Sequence, residues 1–216
     1  MRIAILGAGN VGGALGKGWA RAGHVIAYGV PQPSTKHQAA AEAAGHAKVT
    51  GVADAVRGAD AIVLAVPFGA AAAALRECGN LAGRIVIDAT NPLRRGAGGI
   101  ELSVGFAESG AEQIAATATG AAVFKTLNQV GFEVMADATG YAAPPVMFVA
   151  GDDIAQKPVV LKLVADLGFN AIDVGPLAQA RLLEPFAMLW IHLALNRGMA
   201  RDNAFAYLER IVAGAP

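Results

Sequence analysis

The run Gly7-Ala8-Gly9-Asn10-Val11-Gly12 constrains this chain more than any other stretch. Before it lies a short apolar segment, Ile3 to Leu6, of the kind that forms a strand buried on both faces of a parallel sheet. After it comes a helical pattern with Leu15, Trp19 and Ala22 on one face. Three glycines between a strand and a helix solve three different steric problems. Gly7 permits the tight turn, Gly9 puts no side chain in the way of a pyrophosphate, and Gly12 lets the helix sit close on the strand. The first turn of the helix then offers free N–H groups and the positive end of its dipole to phosphate oxygens. The expected outcome is a dinucleotide site built on Gly7, Gly9, Asn10, Val11 and Gly12.

The remaining pattern alternates strand and helix. Strands are expected at Val25–Tyr28, Ala47–Thr50, Ala61–Val66, Ile85–Asp88, Ala121–Lys125, Pro145–Ala150 and Asn170–Val174. Helices are expected at Gln38–Ala44, Val52–Arg57, Ala70–Cys78 and Ser109–Ala116, the last with Glu112 placed for a capping box. A further helix follows Asp152-Asp153, which cap it, and runs to Leu167. Such alternation specifies an α/β fold of Rossmann type, a doubly wound, mostly parallel sheet with right-handed crossovers. A dinucleotide-binding domain over residues 1–175 would carry a small C-terminal helical region over 176–216. There, Ala178–Asn196 is apolar on more than one face, which predicts burial in its own chain or against a partner, hence a homodimer. His192 within it reads as a core histidine. A second, amphipathic helix is expected from Arg201 to Val212, and the irregular, glycine-rich stretch 93–103 reads as a mobile loop over the site or as a solvated charged loop.

Composition narrows the class of partner. Formal net charge is zero, which gives no basis for binding nucleic acid or an anionic membrane. Apolar stretches are broken before the ~20 residues needed to span a bilayer. The N-terminus enters a strand at once, without a signal peptide, so the expected location is the cytoplasm. One cysteine, Cys78, excludes a disulfide framework and a cysteine-based metal cluster, and reads as a buried structural thiol. No metal is expected.

Ligands of open α/β sheets bind at the carboxyl ends of the strands. That rule selects Val66, Pro67 and Phe68 after one strand, lining the nicotinamide side, and Ala89, Thr90, Asn91 and Pro92 after the next, beside them. Lys125, Thr126 and Asn128 follow a third strand and are candidates for substrate binding. Lys125 has two open roles, meeting an acidic or phosphate-bearing group or pairing with a nearby carboxylate. After the second strand, no Asp or Glu stands where NAD's ribose hydroxyls would be read. Ser34, Thr35 and Lys36 suit a 2′-phosphate instead, which favours NADP(H), although the customary arginine is missing where Val30-Pro31-Gln32 stands. No triad, metal constellation or acid–base pair can be assembled, so no catalytic residue is expected.

These blocks resemble the coenzyme F420-dependent NADP oxidoreductases, a group that includes the reductase domains of the STEAP metalloreductases. The resemblance rests on the glycine run, Ala22-Gly23-His24, Ala89-Thr90-Asn91-Pro92 and Val123-Phe124-Lys125-Thr126-Leu127-Asn128. It continues in Gly151-Asp152-Asp153 and Asp173-Val174-Gly175-Pro176-Leu177, with Arg181 and Glu184 behind. It implies hydride exchange between NADPH and a planar ring such as F420 or a flavin, achieved by positioning alone. Two alternatives compete. One is an imine or carbonyl reductase acting on a small molecule; only forty residues follow Pro176, too few for the long helical domain of the hydroxyacid dehydrogenases. The other is a non-catalytic NADP(H) sensor.

Overall fold

The computed structural model describes residues 1–43, 45 and 47–210. In chain order the elements are β1 (Arg2–Leu6), α1 (Asn10–Arg21), β2 (Val25–Gly29), α2 (Thr35–Ala43), β3 (Lys48–Thr50), α3 (Val52–Val56), β4 (Ala61–Leu64), α4 (Phe68–Glu77) and β5 (Ile85–Asp88). There follow β6 (Leu93–Gly96), β7 (Gly99–Leu102), α5 (Gly110–Thr117), β8 (Ala122–Lys125), α6 (Phe132–Ala136), β9 (Val146–Gly151), α7 (Lys157–Ala165), β10 (Asn170–Asp173) and α8 (Ala180–Ile191). Eight strands form one sheet in the order β10-β9-β8-β5-β4-β1-β2-β3. This is the expected doubly wound, mostly parallel arrangement, with the C-terminal helix present.

Strand alternation divides the core between the two sheet faces. Ile3, Ile5, Val63 and Ile87 pack with Leu15 and Trp19 of α1 and with Val160 and Leu163 of α7. Ala4, Leu6, Ile62, Leu64 and Val86 pack with Val52, Leu75 and Ile114 of α3, α4 and α5. Because both faces are covered, β4 and β5 carry no exposed residue, which explains the apolar runs Ala61–Leu64 and Ile85–Ile87. The Trp19 indole N–H donates to the Leu163 carbonyl at 2.8 Å and so fixes α1 against α7.

One pairing is antiparallel. β8 meets β9 over only two residue pairs, Phe124 with Gly151 and Lys125 with Ala150. Beyond them the two strands diverge, and the Gln129 side chain bridges the gap. Its amide donates to the Phe148 carbonyl at 3.0 Å and accepts from the Phe148 N–H at 2.9 Å. β9 and β10 therefore point away from the edge where β1, β4, β5 and β8 end.

Several expectations are corrected. Residues 93–103 are not an irregular loop. They form the antiparallel hairpin β6–β7, in which Leu93 pairs with Leu102 and Arg94 meets Glu101 at 2.9 Å. The glycines that suggested irregularity supply its turn, with Gly99 at φ +116°. The expected helix from Arg201 is absent over 201–210, and residues 211–212 lie outside the described residues. The segment instead satisfies donors of buried residues: the Phe205 carbonyl accepts from Val146 N–H at 2.8 Å, and the Asn203 carbonyl from the Trp190 indole at 2.9 Å. α2 begins at Thr35, and Ala44 lies outside the described residues. His192, read as a core histidine, is instead exposed in the π-helical turn that ends α8, a helix that buries Leu183, Ala187 and Trp190 in its own chain and leaves Leu182 and Leu189 exposed.

Candidate cofactor and substrate site

Four parallel strands end in register. Leu6 lies beside Leu64, Leu64 beside Asp88, and Asp88 beside Lys125. The segments leaving this row are those expected to form the site: the glycine loop, Ala65–Phe68, Ala89–Pro92 and Thr126–Asn128. They touch. Asn91 donates to the Asn128 carbonyl at 3.0 Å, and the Asn128 amide donates back to Asn91 Oδ1 at 3.1 Å. A Cβ at Gly110 would stand 2.9 Å from the Phe68 ring and 3.1 Å from Pro92, so these two apolar residues meet against the start of α5.

The three glycines do different work. Gly7 adopts φ +104°, and a Cβ there would lie 2.5 Å from the Ala65 carbonyl oxygen. A Cβ at Gly12 would lie 2.0 Å from the Gly7 carbonyl oxygen, a clash that no rotamer relieves. At Gly9 a Cβ would meet nothing within 4 Å, because that side opens into a groove. The groove encloses about 550 Å³ between Gly7–Gly9, Val30–Gln32, His37 and Ala65–Pro67. No side chain caps α1, and its first internal bond runs from Gly13 N–H to the Gly9 carbonyl at 2.8 Å. The N–H groups of Asn10, Val11 and Gly12 thus have no partner within the helix. An open helix end above a glycine-floored groove fits a dinucleotide pyrophosphate.

At the ribose end, Ser34 and Thr35 are exposed, and Ser34 Oγ lies 3.1 Å from His37 Nδ1. The side chain of Lys36 lies outside the described residues. Sequence reasoning missed His37 as a groove residue. Its signal was the spacing of three from Ser34, which sets the residue just before α2 against one on its first turn.

Of the two roles open to Lys125, carboxylate pairing is the one the structure gives it. The side chain is wholly buried, with Nζ 3.0 Å from Asp88 Oδ2 and 3.4 Å from Glu184 Oε1. It also donates to the Thr90 carbonyl, while Asp88 Oδ1 accepts from Thr90 N–H at 2.9 Å. Both polar groups flanking Thr90 are therefore held from below. Glu184 comes from α8 and accepts from Gly110 and Ala111 N–H at 2.9 and 3.1 Å. Those are the opening amides of α5, where the helix dipole favours a carboxylate. Thr126 is also wholly buried, and Asn128 reaches toward the Leu183 carbonyl as well as Asn91. Lys125, Thr126 and Asn128, the residues expected to bind substrate, thus lie buried at the end of β8, with Glu184 and Leu183 of α8 against them.

A second carboxylate ties α8 to α5. Glu112 completes the capping box with Ser109 and receives two bonds from Arg181, at 2.9 and 2.6 Å. Those Arg181 bonds are the main reason its carboxyl is held down to about 2. Cys78 is buried at the end of α4, its thiol donates to the Ala74 carbonyl at 3.2 Å, and burial pushes it up to about 11. Among the described residues no group of His, Cys, Asp and Glu could hold a metal, and no helix is long and apolar enough to cross a membrane.

The chain resembles known proteins at three distances. Residues 2–92 match the family described as NADP oxidoreductase, coenzyme F420-dependent. A solved structure from Arthrobacter sp. FB24, provisionally described as an F420-dependent NADP reductase, is 32% identical with a TM-score of 0.85. The match covers 93% of this chain and 96% of that one. The hypothetical protein SMa0349 from Sinorhizobium meliloti is 26% identical with a TM-score of 0.76, covering 85% and 90%. A reductive aminase from Aspergillus terreus, solved with NADPH and ethyl-5-oxohexanoate, shares the fold at 18% identity and a TM-score of 0.66. That match covers 91% of this chain but only 63% of the aminase.

Proposed function

We propose, from the premise that this chain belongs to the coenzyme F420-dependent NADP oxidoreductase family, that it passes a hydride between NADP(H) and a planar ring acceptor of the F420 or flavin type. The observation that carries the reading is the single contiguous edge where the glycine loop, Val66–Phe68 and Ala89–Pro92 come together. Gly7, Gly9 and the amides of Asn10, Val11 and Gly12 would hold the pyrophosphate. Ser34, Thr35 and Lys36, with His37 beside them, would take the 2′-phosphate. Val66, Pro67 and Phe68 would line the nicotinamide side, with Ala89, Thr90, Asn91 and Pro92 next to them. The nicotinamide, when bound, supplies the hydride. The chain's part is to set two rings at short range and exclude water, which apolar walls do without an acid or base. The reading includes a homodimer through the exposed α8 residues Leu182 and Leu189.

The test offers NADPH and NADH, each with F420, FMN, FAD and riboflavin in turn. NADPH-dependent turnover of a ring acceptor is expected. Turnover confined to imines or keto acids would move the protein to the imine and carbonyl reductases, whose fold it shares. Tight NADPH binding with no turnover of any acceptor would make it a sensor.

A further inference from the structure

Among the described residues only two non-glycine residues have a positive φ, Phe106 at +60° and Leu127 at +59°. Both adjoin the carboxyl edge of the sheet. Leu127 is buried at the end of β8, whereas the Phe106 side chain is 96% exposed. Such a conformation at a bulky residue is strained, and strained backbone gathers at ligand-handling sites. The turn itself is tight: Ala107 N–H donates to the Gly105 carbonyl at 2.9 Å across Phe106, the pattern of the rare γ-turn. A large apolar ring is thus held out in water by a backbone that costs free energy to keep.

Its anchors place it. Ser103 donates through both N–H and Oγ to the Pro92 carbonyl, at 2.7 and 3.0 Å. Three residues span at most about 11 Å, so the Phe106 backbone stays within that reach of Ser103. On the other side Gly110 packs against Phe68 and Pro92, the two apolar residues assigned above to the nicotinamide neighbourhood. Phe106 therefore stands at the rim of the edge where the second ring must arrive.

We infer that Phe106 is a substrate-contact residue, the aromatic surface on which the acceptor ring stacks while the nicotinamide lies against its opposite face. A planar, electron-poor ring gains from an offset aromatic neighbour beyond the area it buries. The cofactor groove between Gly9 and His37 does not include this side chain, so the contact discriminates acceptors, not dinucleotides. This inference rests on the ring-acceptor reading and deepens it.

The test uses the full-length protein and Phe106→Gly, with Phe106→Tyr as the conservative variant. Glycine removes the ring and relieves the left-handed backbone, so the fold is kept. The wild type and both variants are assayed with NADPH and F420, FMN or riboflavin, alongside NADPH affinity by fluorescence titration and mass by light scattering. KM for the ring acceptor should rise on the order of tenfold in Phe106→Gly and recover in Phe106→Tyr, at unchanged NADPH affinity. A wild type active on a ring acceptor with an unchanged KM in Phe106→Gly would overturn the inference and leave the function standing. A change of mass in Phe106→Gly at constant KM would make the residue an interface contact and overturn it equally. A wild type inert toward every ring acceptor would overturn the functional reading, and this inference with it.

Discussion

Replacing Lys125 by methionine isolates what holds the site from below. The substitution keeps an unbranched chain one heavy atom shorter and removes the one ammonium between Asp88 and Glu184, at 3.0 and 3.4 Å. All three side chains are at most 1% exposed, so water does not replace the lost partner. Breaking a buried pair by removing one partner costs about 3–5 kcal/mol, against a total stability of roughly 5–15 kcal/mol. For a chain of this size, each kcal/mol shifts the melting temperature by about 2–4 °C, so a fall of about 10 °C is expected at pH 7. Adding Glu184→Gln to Lys125→Met should recover part of the loss, because one uncompensated charge goes. Thermal and urea unfolding by circular dichroism measure all of this. A Lys125→Met variant melting within a degree of wild type at pH 7, or a double variant no more stable than the single one, would refute the argument.

Other expectations are equally specific. Gly9→Val should abolish NADPH binding while leaving the melting temperature nearly unchanged, since its side chain enters open groove; Gly12→Val should lose both, because its Cβ meets the Gly7 carbonyl at 2.0 Å. Isothermal titration and thermal melts of the two variants separate these outcomes, and normal NADPH binding by Gly9→Val would show the phosphates to be misplaced. Glu112, whose carboxyl drops from 4.5 to about 2, contributes stability that is complete above pH 4.5 and lost as pH falls toward 2. Glu112→Gln should therefore flatten the acid limb of a stability–pH curve over that window, and an identical limb in both proteins would contradict the Arg181 pairing. The Cys78 thiol, pushed up to about 11, should react slowly with a thiol reagent at pH 8 until denaturant is added; rapid labelling of the folded protein would contradict its burial.

The glycine run and the apolar strands were legible in the sequence because their constraints are local. A turn, a close helix and a strand buried on both faces each leave a pattern within about ten residues. Lys125 was legible only as two alternatives. Its partners sit 37 residues before it and 59 after it, at Asp88 and Glu184, and no short window contains that spacing. The hairpin at 93–102 was misread because Gly96 and Gly99 mark a turn as readily as disorder, and cross-strand register cannot be seen from composition. The segment after Arg201 carried a helical pattern that tertiary demand overrode: Val146 N–H and the Trp190 indole needed acceptors, and Phe205 and Asn203 supply them. His37 entered the groove through the placement of α2, which the chain sets only after the second strand is laid down.

The carboxylate that α8 brings to the sheet has a consequence for biosynthesis. As the chain leaves the ribosome, Lys125 emerges with Asp88 already made, but Glu184 is still 59 residues away. At about 5–20 residues per second that interval lasts roughly 3–12 s. During it the amides of Gly110 and Ala111 have no carboxylate to receive them. The nascent nucleotide-binding half therefore waits for Glu184 with the opening amides of α5 unpaired, and a truncation before Glu184 would leave them so.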